Sequence, residues 1–235
     1  MTPRRLDLPS GPVLVVAPHP DDETLGCGGL IAACVARGER VHVLFVTDGG
    51  ASHPNSRAWN RRRLARQREA EASEALYRLG AGDQPRTFLR LADAAMPPEG
   101  SPARRAALQA VGAILRGLRP GLVLLPWRRD PHCDHRDSWA LVTEALAAVG
   151  QAPETLEYAI WLDELGAAGD RPVRGEMEPV FLPVAPGRKR HAVAAHISQL
   201  GGLITDDPAG FALEPPTIAR LTGTRELYWR PCRAG

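Results

Sequence analysis

The stretch VLVVAPHPDDE at residues 13–23 joins an apolar, β-branched run to a turn that carries one imidazole and three carboxylates. The apolar run predicts a buried strand over Pro12 to Ala17. The residues after the turn predict a helix over Thr24 to Arg37, with Gly38 as its C-terminal cap. In an open α/β sheet, ligands bind outside the carboxyl ends of the strands. We therefore expect a ligand site at this turn.

The rest of the chain repeats the alternation of apolar and amphipathic segments, which predicts an α/β fold with a mostly parallel sheet flanked by helices on both faces. Further strands are predicted at Arg40 to Val46, Thr87 to Leu91, Leu122 to Leu125, Leu156 to Leu162 and Met177 to Leu182. Further helices are predicted at Arg62 to Leu79, Pro102 to Leu118, His135 to Val149 and Arg188 to Leu200. No long linker interrupts residues 1–235, so a single domain is expected. Residues 49–60 and 201–216 are rich in Gly, Pro and polar groups, and we expect them to form the rim of a pocket.

The first polar cluster, His19-Pro20-Asp21-Asp22-Glu23, is best explained by a divalent metal ion. Carboxylates this close repel one another unless a cation or strong donors compensate. The competing interpretation is a helix N-terminus at which Asp21 or Asp22 caps the helix, but it leaves His19 unexplained. The glycines of Gly26-Cys27-Gly28-Gly29 invite comparison with a dinucleotide-binding loop. That interpretation is weak because the acidic turn separates them from the strand; we expect them to allow close approach of helix and sheet.

The second cluster, His132-Cys133-Asp134-His135, follows the predicted strand at Leu122 to Leu125. The carboxyl ends of parallel strands face the same rim, so the two clusters are predicted to meet. One histidine from this cluster would complete a metal-binding set with His19 and Asp22. Two imidazoles and one carboxylate leave coordination positions open, which is typical of catalytic zinc. Cys133 is an alternative ligand, but we expect a buried, inert thiol.

Together these motifs resemble the PIG-L/LmbE-type zinc-dependent de-N-acetylases, a resemblance that runs from about Val13 to Gln199. The late segment Lys189-x-x-Ala192-x-x-x-His196-x-Ser198-Gln199 and the middle-helix pair Arg66-x-x-Glu69 also match. The resemblance implies a Rossmann-like α/β sandwich that removes the acetyl group from an N-acetylated amino sugar or glycoconjugate. It assigns the metal ligands His19, Asp22 and His135, the general base Asp21, the oxyanion-stabilising His132 and the histidine-orienting Asp134.

Four further residues are placed around this site with less specific roles. Asp93 resembles a contact to a substrate hydroxyl, and Arg66 is assigned the same role, although a helical pair with Glu69 is an alternative for Arg66. Glu23 is expected to support the metal ligands from behind or to serve as a helix-terminal charge. Asp48 ends a neighbouring strand, where it either hydrogen-bonds near the metal or caps the turn.

Composition restricts the class of partner. The formal net charge of +2 gives no field for nucleic acid, and no apolar run is long enough for a membrane span, so a small-molecule substrate in the cytoplasm is expected. Zinc is the expected cofactor, although iron(II) suits the same ligands. The alternatives are a zinc amidase that cleaves a larger N-acyl or thiol conjugate and a catalytically silent sugar-binding relative. Nothing in the sequence predicts the oligomeric state.

Overall fold

A single eight-stranded sheet forms the centre of the protein, whose computed structural model describes residues 2–8 and 10–232. The strands lie in the order β1-β7-β8-β6-β5-β2-β3-β4. They are β1 (Arg4–Arg5), β2 (Val13–Ala17), β3 (Val41–Thr47), β4 (Arg86–Leu91), β5 (Leu122–Pro126), β6 (Glu154–Tyr158), β7 (Met177–Pro183) and β8 (Arg225–Pro231). All neighbours run parallel except β8, which is antiparallel to both β6 and β7. The predicted mostly parallel sheet is therefore confirmed.

Seven α-helices surround the sheet in the described part of the chain. They are α1 (Asp22–Ala36), α2 (Arg61–Arg78), α3 (Pro102–Leu118), α4 (Cys133–Ala148), α5 (Leu162–Leu165), α6 (Pro186–Val193) and α7 (Pro215–Leu221). Successive residues of β2 supply two separate cores: Val13, Val15 and Ala17 pack with α1 and α2, whereas Leu14 and Val16 pack with α3 and α4. Burial on both faces is the reason that β2 is apolar at every position.

Helix α1 lies unusually close to the sheet at Gly26. A Cβ atom built on this residue would lie 2.2 Å from Cδ2 of Tyr158 on β6. The Tyr158 ring is fully buried, and its hydroxyl donates to the Val16 carbonyl oxygen at 2.7 Å. The glycine at this position thus permits helix–sheet contact, as the sequence predicts.

The last third of the chain departs from the predicted elements. The predicted strand from Leu156 to Leu162 ends at Tyr158, and the chain turns into α5. The predicted helix from Arg188 to Leu200 ends at Val193 and resumes as a 3-10 turn over Ile197–Gln199. This break lets Ser198 bond to the buried Glu71 carboxylate through its N–H at 3.0 Å and its hydroxyl at 2.7 Å. Strand β8, which sequence patterning missed, carries the buried Glu226, whose partner Lys189 lies 2.6 Å away on α6.

None of the helices in the described part of the chain combines the length and the apolar character that a membrane span requires.

Candidate metal centre and substrate pocket

The two polar clusters meet at the carboxyl edge of the parallel strands. His19 lies in the turn between β2 and α1, and His132 and His135 lie at the start of α4, which follows β5. The ring centroids of His19 and His132 are 4.7 Å apart, and those of His19 and His135 are 5.5 Å apart. The predicted convergence of these distant loops is present in the structure.

His19, Asp22 and His135 form a group suited to a divalent metal ion. Asp22 Oδ2 lies 3.1 Å from Nδ1 of His19 and 3.3 Å from Nε2 of His135. Ligands about 2.0–2.1 Å from a tetrahedral zinc ion are separated by about 3.3 Å, so the observed spacings fit. Both ring nitrogens of the fully buried His135 are without a hydrogen bond among the described residues. A bound cation would supply the missing partner for one of them.

Electrostatics at His19 also indicate a site for positive charge. Burial by itself would lower the pKa of His19, but hydrogen bonds with Asp134, Asp22 and Asp93 raise it well above its usual value. The ring nitrogen Nε2 lies 3.1 Å from Asp134 Oδ2 and 3.4 Å from Asp93 Oδ1. His19, His132 and Asp134 form a second geometrically possible ligand group. A neutral His19 has one lone pair, so Nδ1 on the metal requires Nε2–H to donate to these carboxylates.

Asp21 lies beside the metal group and pairs with Arg68 of α2. The guanidinium Nη2 is 3.0 Å from Asp21 Oδ2, and Nη1 donates to the Gly49 carbonyl oxygen at 2.8 Å. Burial raises the pKa of Asp21, while Arg68 opposes that rise. Although Asp21 occupies the N-cap position of α1, its side chain makes no capping hydrogen bond. The interpretation of this cluster as a helix cap alone is therefore wrong for Asp21.

His132 and Asp134 are fixed by their shared turn. The backbone N–H of Asp134 donates to His132 Nδ1 at 3.2 Å, which leaves Nε2 of His132 to carry the proton. Burial, followed by the neighbouring His19 and His135 rings, lowers the pKa of His132. The Asp134 carboxylate accepts from the Ala94 N–H at 2.8 Å and contacts His19. Asp134 thus orients His19 with its side chain and His132 with its backbone.

The expectation that the Cys133 thiol is buried is wrong. The thiol is exposed rather than buried, because it points outward from the first turn of α4. It belongs to neither group of potential metal ligands found in the described residues.

The other predicted site residues are Asp93, Glu23, Asp48 and Arg66. Asp93 lines the pocket, where Oδ2 accepts from the Ala51 N–H at 2.7 Å. Glu23 is fully buried behind the turn, accepts from the Thr24 hydroxyl at 2.6 Å, and has its pKa raised to about 8 by burial. Asp48 caps the turn after β3, because its Oδ1 accepts from the Gly50 N–H at 3.0 Å and lies 3.1 Å from Arg61 Nη2, and it belongs to neither potential ligand group found in the described residues.

Arg66 does not reach the pocket. It is exposed and lines a separate surface depression with Asp48, Arg61 and Arg90. The alternative pair with Glu69 does not form either, since Arg90 takes that carboxylate at 2.6 Å. Two positions further along α2, Arg68 occupies the place expected for Arg66.

Sequence patterning gave one usable signal for Arg68. Leu64, Arg68 and Ala72 recur at a spacing of four residues along the buried side of α2, and an arginine in such a stripe needs a buried partner. Asp21 and the Gly49 carbonyl oxygen are that partner.

A cavity of about 430 Å³ opens over the metal group. Polar side chains of Asp93, Ser52 and Gln199 lie on its lining, and an apolar wall is formed by Trp161, Leu165 and Phe211. The Trp161 and Phe211 rings meet edge to face at 5.6 Å. Ser52 and Phe211 come from the two loops that were predicted to form the rim. The aromatic wall was not predicted.

Comparison with known proteins shows that both polar clusters lie within a match to a known protein family. The family profile described as PIG-L: GlcNAc-PI de-N-acetylase matches residues 14–146, which include both polar clusters. A 1D-myo-inositol 2-acetamido-2-deoxy-alpha-D-glucopyranoside deacetylase of Rhodococcus opacus is 35% identical over 251 aligned positions, which cover 84% of this chain and 83% of the relative. A diacetylchitobiose deacetylase of Thermococcus kodakarensis is 30% identical over 144 positions, covering 59% and 50%.

Solved structures share the fold. A deacetylase of the teicoplanin biosynthetic pathway superposes with a TM-score of 0.68, covering 94% of this chain and 98% of that one at 20% identity. This likeness concerns the arrangement of strands and helices alone.

Proposed function

The chain belongs to the PIG-L family of de-N-acetylases, and we propose that it hydrolyses the acetamide of an N-acetylated amino sugar or glycoconjugate to acetate and a free amine. One observation carries the proposal. A three-ligand metal group lies beside a buried carboxylate, Asp21, and an imidazole, His132, at the floor of a cavity of sugar size. An amide needs both an activated nucleophile and a charge-stabilising group, and the two side chains supply these roles.

We propose zinc as the metal held by His19, Asp22 and His135. The spacing of the ligand atoms and the unpartnered His135 nitrogens support a tetrahedral ion with an open position. When bound, such an ion lowers the pKa of water and polarises the acyl oxygen. Iron(II) is accommodated by the same ligands, so elemental analysis of the purified protein decides between them.

Asp21 is proposed as the general base. Asp21 lines the same cavity as His19, Asp22 and His132. Its raised pKa makes it a better proton acceptor than an exposed aspartate. Asp21 takes a proton from the attacking water, whose oxygen bonds to the acyl carbon. The proton then passes to the leaving nitrogen as the C–N bond breaks.

His132 is proposed to stabilise the oxyanion of the tetrahedral intermediate. Because Nδ1 accepts from the Asp134 N–H, Nε2–H is available to donate into the cavity. Loss of one such donor typically lowers the rate about 100- to 1,000-fold. The residual rate of His132→Ala should therefore exceed that of a variant that has lost the metal.

We infer that the sugar lies between the polar and the aromatic sides of the cavity. Asp93 is placed to accept from a substrate hydroxyl, and Arg68 donates at the same edge. Trp161 and Phe211 offer apolar surface for a face of the sugar ring.

The test is acetate release from a panel of N-acetyl sugars by the zinc-loaded protein, comparing Asp21→Asn with the control Asp83→Asn. Asp83 is exposed in the turn between α2 and β4 and makes none of the ion pairs found among the described residues. We expect Asp21→Asn to keep one equivalent of zinc and to lose at least about 100-fold in kcat/KM, while the control keeps both. A near-normal rate for Asp21→Asn would refute the assignment of the base. Products heavier than acetate would instead identify an amidase for a larger conjugate, and no turnover with the metal bound would identify a silent sugar-binding relative.

A further inference from the structure

Asp130 is a fully buried carboxylate that none of the proposed catalytic steps uses. It lies in the loop between β5 and α4, two residues before His132. Its Oδ1 accepts from the His132 N–H at 3.0 Å, and its Oδ2 lies 3.5 Å from Nδ1 of His135. The same Oδ2 accepts from the backbone N–H groups of Ile160 and Trp161, each at 3.4 Å. One side chain therefore contacts a metal ligand, the oxyanion-stabilising residue and the aromatic wall.

The two nitrogens of His135 face different groups. Nε2 lies 3.3 Å from Asp22 Oδ2, on the side of the metal group, whereas Nδ1 points away from it towards Asp130. A neutral imidazole carries one proton and one lone pair. The ring binds a metal through Nε2 only when the proton sits on Nδ1. The 3.5 Å contact is at the long limit for a hydrogen bond, and Nδ1 has no other partner among the described residues.

We propose that Asp130 is a positioning residue that holds His135 in the Nδ1–H tautomer and thereby strengthens binding of the divalent ion. The inference rests on the proposed metal centre. The arrangement repeats at the other imidazole ligand, where Asp134 faces Nε2 of His19 while Nδ1 faces Asp22. Each histidine of the metal group thus has its own carboxylate behind it, a pattern that fixes ring orientation and raises ligand basicity.

The competing explanation is that Asp130 merely braces the loop through its three backbone contacts. Asp207 provides a matched control for that role. It is also buried, though less deeply, and accepts from the backbone N–H groups of Asn55 at 2.8 Å and Ala209 at 3.2 Å. It belongs to neither metal-ligand group found in the described residues.

The first experiment measures zinc dissociation constants by chelator competition for the wild type, Asp130→Asn and Asp207→Asn, together with the thermal unfolding of each metal-free protein. We expect Asp130→Asn to bind zinc about 10- to 100-fold more weakly, and Asp207→Asn to stay within about twofold of the wild type. Zinc binding by Asp130→Asn within twofold of the wild type would overturn the proposal. So would an equal loss of zinc affinity in both variants, because that result indicates loop bracing.

The second experiment needs no substitution at Asp130. Long-range ¹H–¹⁵N correlation spectra of the zinc-loaded wild type, with the His135 signals assigned from His135→Gln, report which nitrogen carries the proton. We expect a protonated Nδ1 and a metal-bound Nε2, and ligation through Nδ1 would overturn the proposal even if the Asp130 variant fails to fold. Neither readout uses acetate release, so failure of the proposed reaction and failure of this inference give different results.

Discussion

Replacing Gly26 with alanine tests how closely α1 must approach the sheet. The added Cβ atom would lie 2.2 Å from Cδ2 and 2.6 Å from Cε2 of Tyr158, and both distances are well below the ordinary contact range of 3.4–4 Å. The ring cannot move aside because it is fully buried and anchored through its hydroxyl to Val16. Relief therefore requires a shift of α1 itself, which begins with the proposed metal ligand Asp22.

The change in the free energy of unfolding caused by Gly26→Ala is the sum of two opposing effects. Overpacking a rigid core lowers the free energy of unfolding by about 1–3 kcal/mol, and the rigid ring favours the upper value. Replacing glycine by alanine inside a helix returns about 1 kcal/mol. We expect a net loss of about 2 kcal/mol, equivalent to a fall in Tm of about 4–8 °C for a domain of this size.

Gly117→Ala is the matched control. Gly117 is an exposed helical residue of α3, and a Cβ atom there meets nothing within 4 Å. This variant should gain up to about 1 kcal/mol. Urea denaturation of both metal-free variants measures the two changes, whose difference of about 3 kcal/mol isolates the overpacking. If Gly26→Ala proves as stable as Gly117→Ala, the close approach of α1 to Tyr158 does not constrain the fold.

Three further substitutions test the electrostatics. Burial lowers the pKa of His196 to about 3, below its unfolded value of 6.5, so the wild type loses stability as the pH falls below 6.5. Over that range the difference in unfolding free energy between the wild type and His196→Gln should narrow by about 1.4 kcal/mol per pH unit. Parallel pH profiles of the two proteins in urea denaturation would contradict this expectation. Arg68→Gln removes a positive charge that lowers the pKa of Asp21. The acid limb of the pH profile of kcat/KM should therefore move to higher pH. If the limb does not move, Arg68 does not control the protonation of Asp21. Lys189→Met leaves the buried Glu226 carboxylate without its cation and should cost about 3–5 kcal/mol. Calorimetry should show partial recovery when Glu226→Gln is added, and additive losses would rule out the pairing.

Local sequence determined the parallel sheet and the two polar clusters. Each of these is encoded within a few consecutive residues: an apolar run buried on both faces, and a polar turn at its carboxyl end. Because parallel strands end on a common rim, His19 and His135 were predicted to meet although 116 positions in the chain separate them. The same local logic identified the glycines of α1 as packing positions.

Tertiary structure alone decided which side chains complete the pocket. The four-residue stripe of α2 marks Arg68 as buried and Arg66 as exposed, but only the packed structure shows that the partner of Arg68 is Asp21. Asp130 gains its partner His135, and Trp161 meets Phe211, through segments whose spacing along the chain carries no periodic signal. Strand β8 inserts between β6 and β7 and runs antiparallel to both. Such contacts depend on how packed elements are oriented in space, and local residue patterns do not record that orientation.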